Sequence, residues 1–97
     1  MKRAVAAAAL ALAAAPALAG ESGLVVFHTQ CSRCHGEDGR GSAVFTTPSV
    51  LTSRLTAAEM AAVIADGKGR MPAFKARLSA EEIAAVAAYL KAGVPAR

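Results

Sequence analysis

Hydrophobic residues recur at helical spacing in three stretches of the chain, residues 21–30, 56–66 and 79–92. In the second and third stretches, apolar residues three and four positions apart form one continuous stripe. Such a stripe is typical of a helix that buries one face. The pattern therefore predicts a small all-α fold with three to four helices.

Capping signals mark the ends of the second and third predicted helices. Thr56 and Glu59 have the spacing of a capping box, and Ser79 and Glu82 repeat it. Gly67 follows the second helix, where a glycine can end it. We therefore expect these two helices to begin at residues 57 and 80.

The segments between the helices, residues 36–50 and 67–74, are rich in glycine and proline and are predicted to be loops. No strand pattern appears in the first of them. A long irregular segment is unusual in a small domain unless something holds it. Apolar residues that could cover a bound group lie in or beside this loop: Val44, Phe45, Val50 and Leu51.

The first nineteen residues have the form of a secretory signal peptide. Residues 1–3 are positively charged, 4–15 are an unbroken apolar run, and 17–19 read Ala-Leu-Ala, which fits the A-x-A cleavage rule. We expect cleavage there, leaving 20–97 as one periplasmic domain. An uncleaved membrane anchor is the alternative, but the apolar run is short and mostly alanine.

Charge gives little support to nucleic-acid binding. The chain of 97 residues carries a net charge of +4, which falls to +2 when Lys2 and Arg3 leave with the signal peptide. So weak a basic balance is normally solvated surface. We expect neither a nucleic-acid partner nor a membrane span after signal cleavage.

Residues 31–35 read Cys-Ser-Arg-Cys-His, and they contain the only two cysteines of the chain. This is the C-x-x-C-H attachment signature of a c-type haem. Cys31 and Cys34 can form thioethers with two vinyl groups on one edge of a porphyrin, and His35 then supplies the proximal iron ligand. Export agrees with this interpretation, because the attachment would occur outside the cytoplasm.

Three other interpretations of the motif compete with haem. A redox dithiol is expected in a βαβ context, which this sequence lacks. Zinc prefers four ligands, and the chain offers only Cys31, Cys34, His35 and His28, all within eight residues. A disulfide between Cys31 and Cys34 would close a loop too small to stabilise much. Haem c is favoured over all three.

A haem bound through His35 alone has an open face, and three side chains are candidates for the second iron ligand. His28 is tethered on the proximal side, one turn before Cys31. Met60 stands at the start of a predicted helix, where a methionine is usually part of the core. Met71 lies in a loop shaped by glycine and proline, so we assign the second ligand to Met71.

Three features occur in order along the chain: Gly23-x-x-x-Phe27-x-x-x-Cys31-Ser32-Arg33-Cys34-His35-Gly36, then Met71-Pro72, then a terminal helix with Tyr89-Leu90. In this arrangement the chain resembles a bacterial monohaem class I cytochrome c. The resemblance covers essentially all of residues 20–97. It implies three to four helices wrapped around one covalently attached haem, with the first and last crossing near Gly23, Phe27 and Tyr89.

The same resemblance implies that the Pro48 carbonyl accepts a hydrogen bond from the His35 ring N–H, which would orient the ring and raise its basicity. Two features depart from the family pattern. Thr47 stands where the family often places a glycine, just before that proline. The chain also has no tryptophan, so the pattern assigns no propionate contacts.

The resulting functional expectation is a non-enzymatic, periplasmic one-electron carrier with His35 and Met71 as iron ligands. Its expected partners are redox proteins: a dehydrogenase, an oxidase or another cytochrome. A haem enzyme or ligand sensor with a labile sixth site is the alternative, and a zinc or dithiol module without haem is a third. Five basic residues lie around the Met71 loop or in the haem motif: Arg33, Lys68, Arg70, Lys75 and Arg77. They form either a positive docking rim for an acidic partner or ordinary solvated surface charge.

Overall fold

The computed structural model describes residues 22–95 as three helices. Helix α1 covers 22–35, α2 covers Ala57–Asp66 and α3 covers Ala80–Lys91. Between residues 22 and 95 no strand forms, and the prediction of an all-α fold is confirmed. The predicted signal peptide lies outside the described residues.

Helix α1 widens in the middle. It is α-helical over 22–26, π-helical over Phe27–Cys31 and α-helical again over Ser32–His35. The Ser32 N–H donates to the carbonyl of Phe27, five residues earlier, while the Ser32 hydroxyl donates to the carbonyl of His28 at 2.8 Å. Single π turns inside α-helices occur often at functional sites. Here the π turn leads directly into the cysteine motif.

Both predicted capping boxes are present and confirmed. The Thr56 hydroxyl accepts from the Glu59 N–H at 3.1 Å, and the Glu59 carboxylate accepts from the Thr56 N–H at 2.8 Å. Ser79 and Glu82 repeat the arrangement at 3.1 and 2.9 Å. The hydrogen bonds from Thr56 hold the pKa of Glu59 below its ordinary value. These caps fix where α2 and α3 begin.

One core joins the three helices. Phe27 of α1 and Val86 of α3 are completely buried in it, and Met60 of α2 is only 6% exposed. Met60 is therefore a core residue, as its helical position predicted. The remaining large members are Val26, Ile64, Phe74, Leu78, Ile83, Tyr89 and Leu90. Among residues 22–95, none of the helices is both long and apolar enough to cross a bilayer.

Helices α1 and α3 approach each other closely at Gly23. A Cβ atom on this residue would lie 2.6 Å from the carbonyl oxygen of Ala85 and 2.9 Å from the Cβ of Tyr89. Four residues later, the Phe27 ring lies 5.7 Å from the Tyr89 ring, centroid to centroid. The expected crossing of the first and last helices near Gly23, Phe27 and Tyr89 is confirmed.

The chain after α3 folds back onto the same region. The Tyr89 hydroxyl donates to the Pro95 carbonyl at 2.7 Å, and burial raises the pKa of this phenol. Val94 packs against the core, and its side chain would touch a Cβ placed on Gly39. The segment after α3 thus packs against the loop that follows the cysteine motif.

Replacing Gly23 with alanine should reduce the free energy of unfolding by about 2 kcal/mol, because the methyl group has no room against the α3 backbone. The matched control is Val25→Ala, which places alanine on the same helix at an exposed position and should change stability by less than about 0.5 kcal/mol. Guanidinium chloride titration measures both. A Gly23→Ala protein as stable as the wild type would contradict the close crossing.

Candidate functional site

The cysteine motif forms the last turn of α1. The thiols of Cys31 and Cys34 are not paired with each other; Cys31 is half-buried and Cys34 is exposed. Burial, and secondarily the neighbouring Cys34, raise the pKa of the Cys31 thiol from 9.0 to about 11. Both thiols therefore lie at one end of one helix, with unequal access to solvent.

The His35 ring is held by the loop that follows the motif. Its Nδ1 atom lies 3.4 Å from the carbonyl oxygen of Pro48, a long hydrogen bond, because N–H···O distances are usually about 2.7–3.2 Å. A carbonyl oxygen cannot donate, so this contact requires the proton on Nδ1. The lone pair of Nε2 is then available for a metal, which is the arrangement that histidine ligands need.

Two further hydrogen bonds fix the same loop to the motif. The Gly41 N–H donates to the backbone carbonyl of His35 at 2.7 Å. The Thr47 hydroxyl donates to the backbone carbonyl of Cys34. Gly41 has a φ of +93°, and a Cβ there would lie 2.5 Å from the Thr47 carbonyl oxygen. Pro48 is therefore one part of a loop that contacts consecutive residues of the motif.

Met71 ends a tight turn after α2. Its N–H and carbonyl pair with those of Lys68 at 3.0 and 3.1 Å. A Cβ on Gly67 would lie 2.7 Å from the Met71 carbonyl oxygen, so the turn packs closely on the end of α2. Met71 is half-buried against the core, whereas Met60 lies within the core. Of these two methionines, Met71 is the more exposed residue.

The third ligand candidate, His28, has a partner of its own. Its Nδ1 atom lies 3.1 Å from a carboxylate oxygen of Glu37, and its ring packs edge-on against Phe27. This pair links α1 to the loop after the motif. Sequence reasoning missed Glu37, because nothing in the spacing of the two residues signals that a bend at Gly36 brings them together.

The basic residues around Met71 divide into two groups. Lys75 pairs with Asp66 at 3.3 Å, and the Arg77 guanidinium lies 4.9 Å from the centroid of the Phe74 ring. Lys68 and Arg70 are exposed on the turn that Met71 ends. Arg33, the fifth residue of the predicted rim, is also exposed, on the last turn of α1. On the Met71 turn itself, the predicted rim consists of Lys68 and Arg70.

The side chains present fit a haem c on chemical grounds. They provide two thiols that can form thioethers, the His35 imidazole with its Nδ1 hydrogen-bonded to the Pro48 carbonyl, and the half-buried thioether of Met71. Val44, Phe45 and Leu51, in and just after the loop that contacts the motif, expose apolar surface that such a group could cover. Within residues 22–95, no three histidine, cysteine or acidic side chains form a metal-binding group, which gives the zinc alternative no ligand cluster.

Comparison with known proteins places the chain in a family. The family model described as "Cytochrome C oxidase, cbb3-type, subunit III" matches residues 18–90. Among solved structures, the c-type cytochrome XoxG from Methylobacterium extorquens AM1 is 32% identical and superposes with a TM-score of 0.60. That match covers 78% of this chain and 52% of XoxG, so the chain spans about half the length of that protein.

None of the curated proteins compared with the chain matches its sequence. The family model nevertheless extends over most of the chain, from the end of the predicted signal peptide to α3. The structural match and the helical fold agree with it. The chain therefore belongs to this family and is a monohaem class I c-type cytochrome.

Proposed function

We propose that this protein is a periplasmic one-electron carrier in which His35 and Met71 bind the two faces of a haem c attached to Cys31 and Cys34. The observation that carries the proposal is the His35 ring, whose Nδ1 lies at the Pro48 carbonyl and whose Nε2 is available for iron. Membership in a family of electron carriers supports it. Periplasmic location rests on the signal peptide expected at residues 1–19.

Bound haem supplies an iron that gains and loses a single electron. The protein's part is to keep the ligands in place while this happens. His35 is held through its ring by Pro48 and through its backbone by Gly41, and Met71 is held by a closed turn. Little therefore moves with the charge, which favours fast transfer. Thioether ligation by Met71 favours the reduced state, so we expect a positive midpoint potential.

The proposed partners are redox proteins: a dehydrogenase, an oxidase or another cytochrome. The name of the matching family model, an oxidase subunit, supports a partner of the oxidase type. Lys68 and Arg70 lie on the turn beside Met71, where they could attract a negatively charged partner to the site. Such surface charge acts mainly on the rate of association.

Replacing Met71 with alanine should remove the near-infrared charge-transfer band of a methionine–iron(III) bond and lower the midpoint potential, because the iron loses its thioether. Optical spectroscopy and redox titration of the haem-loaded protein measure both. Met60→Leu is the matched control and should keep the band, since Met60 is a core residue. A band that survives in Met71→Ala would refute the ligand assignment. A wild-type protein without the band would favour the haem enzyme or sensor.

Reversing the charge of Lys68 should slow the reduction of ferricyanide, a trivalent anion, by about threefold at low ionic strength. Stopped-flow mixing measures the rate, and added salt should remove the difference. Lys91→Glu, at the exposed end of α3, is the control and should leave the rate near that of the wild type. If both variants slow the reaction equally, net charge is responsible and the docking proposal fails.

A further inference from the structure

We propose that Thr47 is a positioning residue for the haem site. Its hydroxyl group sets the position of the Pro48 carbonyl, and through it the strength of the His35 hydrogen bond and the midpoint potential. This inference rests on the proposed ligation by His35. It assigns a role to the residue by which this chain departs from its family's pattern.

The Thr47 hydroxyl is bonded on two sides. It donates to the backbone carbonyl of Cys34, inside the cysteine motif. It also accepts from the backbone N–H of Ser42 at 3.0 Å, at the start of the same turn. One oxygen atom therefore joins the end of α1 to both ends of the 42–47 turn.

The backbone hydrogen bonds of the 42–47 turn do not replace the hydrogen bonds of the Thr47 hydroxyl. The Thr47 N–H donates to the Ser42 carbonyl at 3.0 Å, and the Ser42 N–H lies 3.3 Å from the Thr47 carbonyl. Both bonds close the turn on itself, and neither connects Thr47 to the cysteine motif. The hydroxyl bond to Cys34 therefore ties Thr47 directly to the residue before His35.

Pro48 follows directly and depends on this connection. Its ring fixes φ and removes the N–H, so Pro48 has no backbone donor with which to hold itself in place. Its carbonyl lies 3.4 Å from the Nδ1 of His35, already near the outer limit of a hydrogen bond. A displacement of a few tenths of an ångström would break that bond. After Pro48, the chain is held by the Ser49 hydroxyl and the Val50 N–H, which donate to the Gly39 carbonyl at 3.2 and 2.8 Å; before it, the Thr47 hydroxyl is the anchor to the cysteine motif.

A glycine at position 47 would leave the backbone bonds of the turn but remove the hydroxyl. The loop has little freedom to move inward, because a Cβ on Gly41 would already lie 2.5 Å from the Thr47 carbonyl oxygen and 3.1 Å from that of Pro48. Without the hydroxyl, Thr47 loses its hydrogen bond to the cysteine motif, so Thr47 and Pro48 can move away from Cys34 and His35. Outward movement lengthens the contact between the ring and the Pro48 carbonyl.

The effect on the potential has a definite sign. A histidine whose Nδ1–H donates to a carbonyl is a more basic ligand. A more basic ligand stabilises the more highly charged Fe(III) state. Weakening the bond should therefore raise the midpoint potential, and a purely structural loosening elsewhere in the protein would not have this defined effect on the His35 ring.

The decisive comparison is between Thr47→Val, which removes the hydroxyl at nearly constant shape, and Thr47→Ser, which keeps it. In reduced, haem-loaded protein, NMR should show hydrogen exchange of the His35 Nδ1 proton at least tenfold faster in Thr47→Val. In redox titration at a fixed potential, the ratio of reduced to oxidised haem should be about threefold higher in Thr47→Val than in the wild type. This change is equivalent to a midpoint potential about 28 mV higher. Thr46→Val, the same change at the exposed preceding residue, is the control and should match the wild type.

The inference is overturned if Thr47→Val matches the wild type in both measurements, or if Thr47→Ser behaves like Thr47→Val. If Thr47→Val does not retain haem, the wild-type protein decides the question. A Thr47 hydroxyl proton that exchanges slowly and shows a cross-peak to the Ser42 amide supports the inference, and exchange at the solvent rate refutes it. Wild-type protein with bound haem but no histidine-ligated spectrum would instead refute the proposed function, and the inference with it.

Discussion

The contact between α1 and α3 at Gly23 is the constraint on which the rest of the structure depends. Only a residue without a side chain lets the α1 backbone approach the carbonyl of Ala85. That approach brings Phe27 against Tyr89 and buries it completely. Since the cysteine motif is the last turn of α1, the direction in which α1 leaves this crossing determines where the motif lies.

From that starting point, loops hold the residues proposed as iron ligands. The segment that follows α1 returns to contact Cys34 and His35 through side-chain and backbone hydrogen bonds. The turn that ends at Met71 is closed by its own backbone pair and packs on the end of α2. Helices thus provide the rigid frame, and irregular segments provide the contacts that adjust the functional side chains, a division common in small proteins.

Features with short-range causes could be predicted from the sequence. The capping boxes at Thr56 and Ser79 involve residues three apart, so the sequence alone predicted the start of two helices. The core position of Met60 followed from helical spacing. The two hydrogen bonds of the Thr47 hydroxyl and the ion pair between Lys75 and Asp66 could not be predicted, because they depend on how separate segments meet in space. The π turn that ends at Cys31 likewise has no periodic signal in the sequence.

The burial of Phe27 also implies an order in which the parts of the chain can pack during synthesis. Its partners, Val86 and Tyr89, belong to the last helix, at the opposite end of the sequence. While the chain is being synthesised, these residues arrive last, so α1 cannot acquire its native packing until the rest of the chain has emerged. The two thiols of the motif therefore belong to a segment that has not yet packed during that interval.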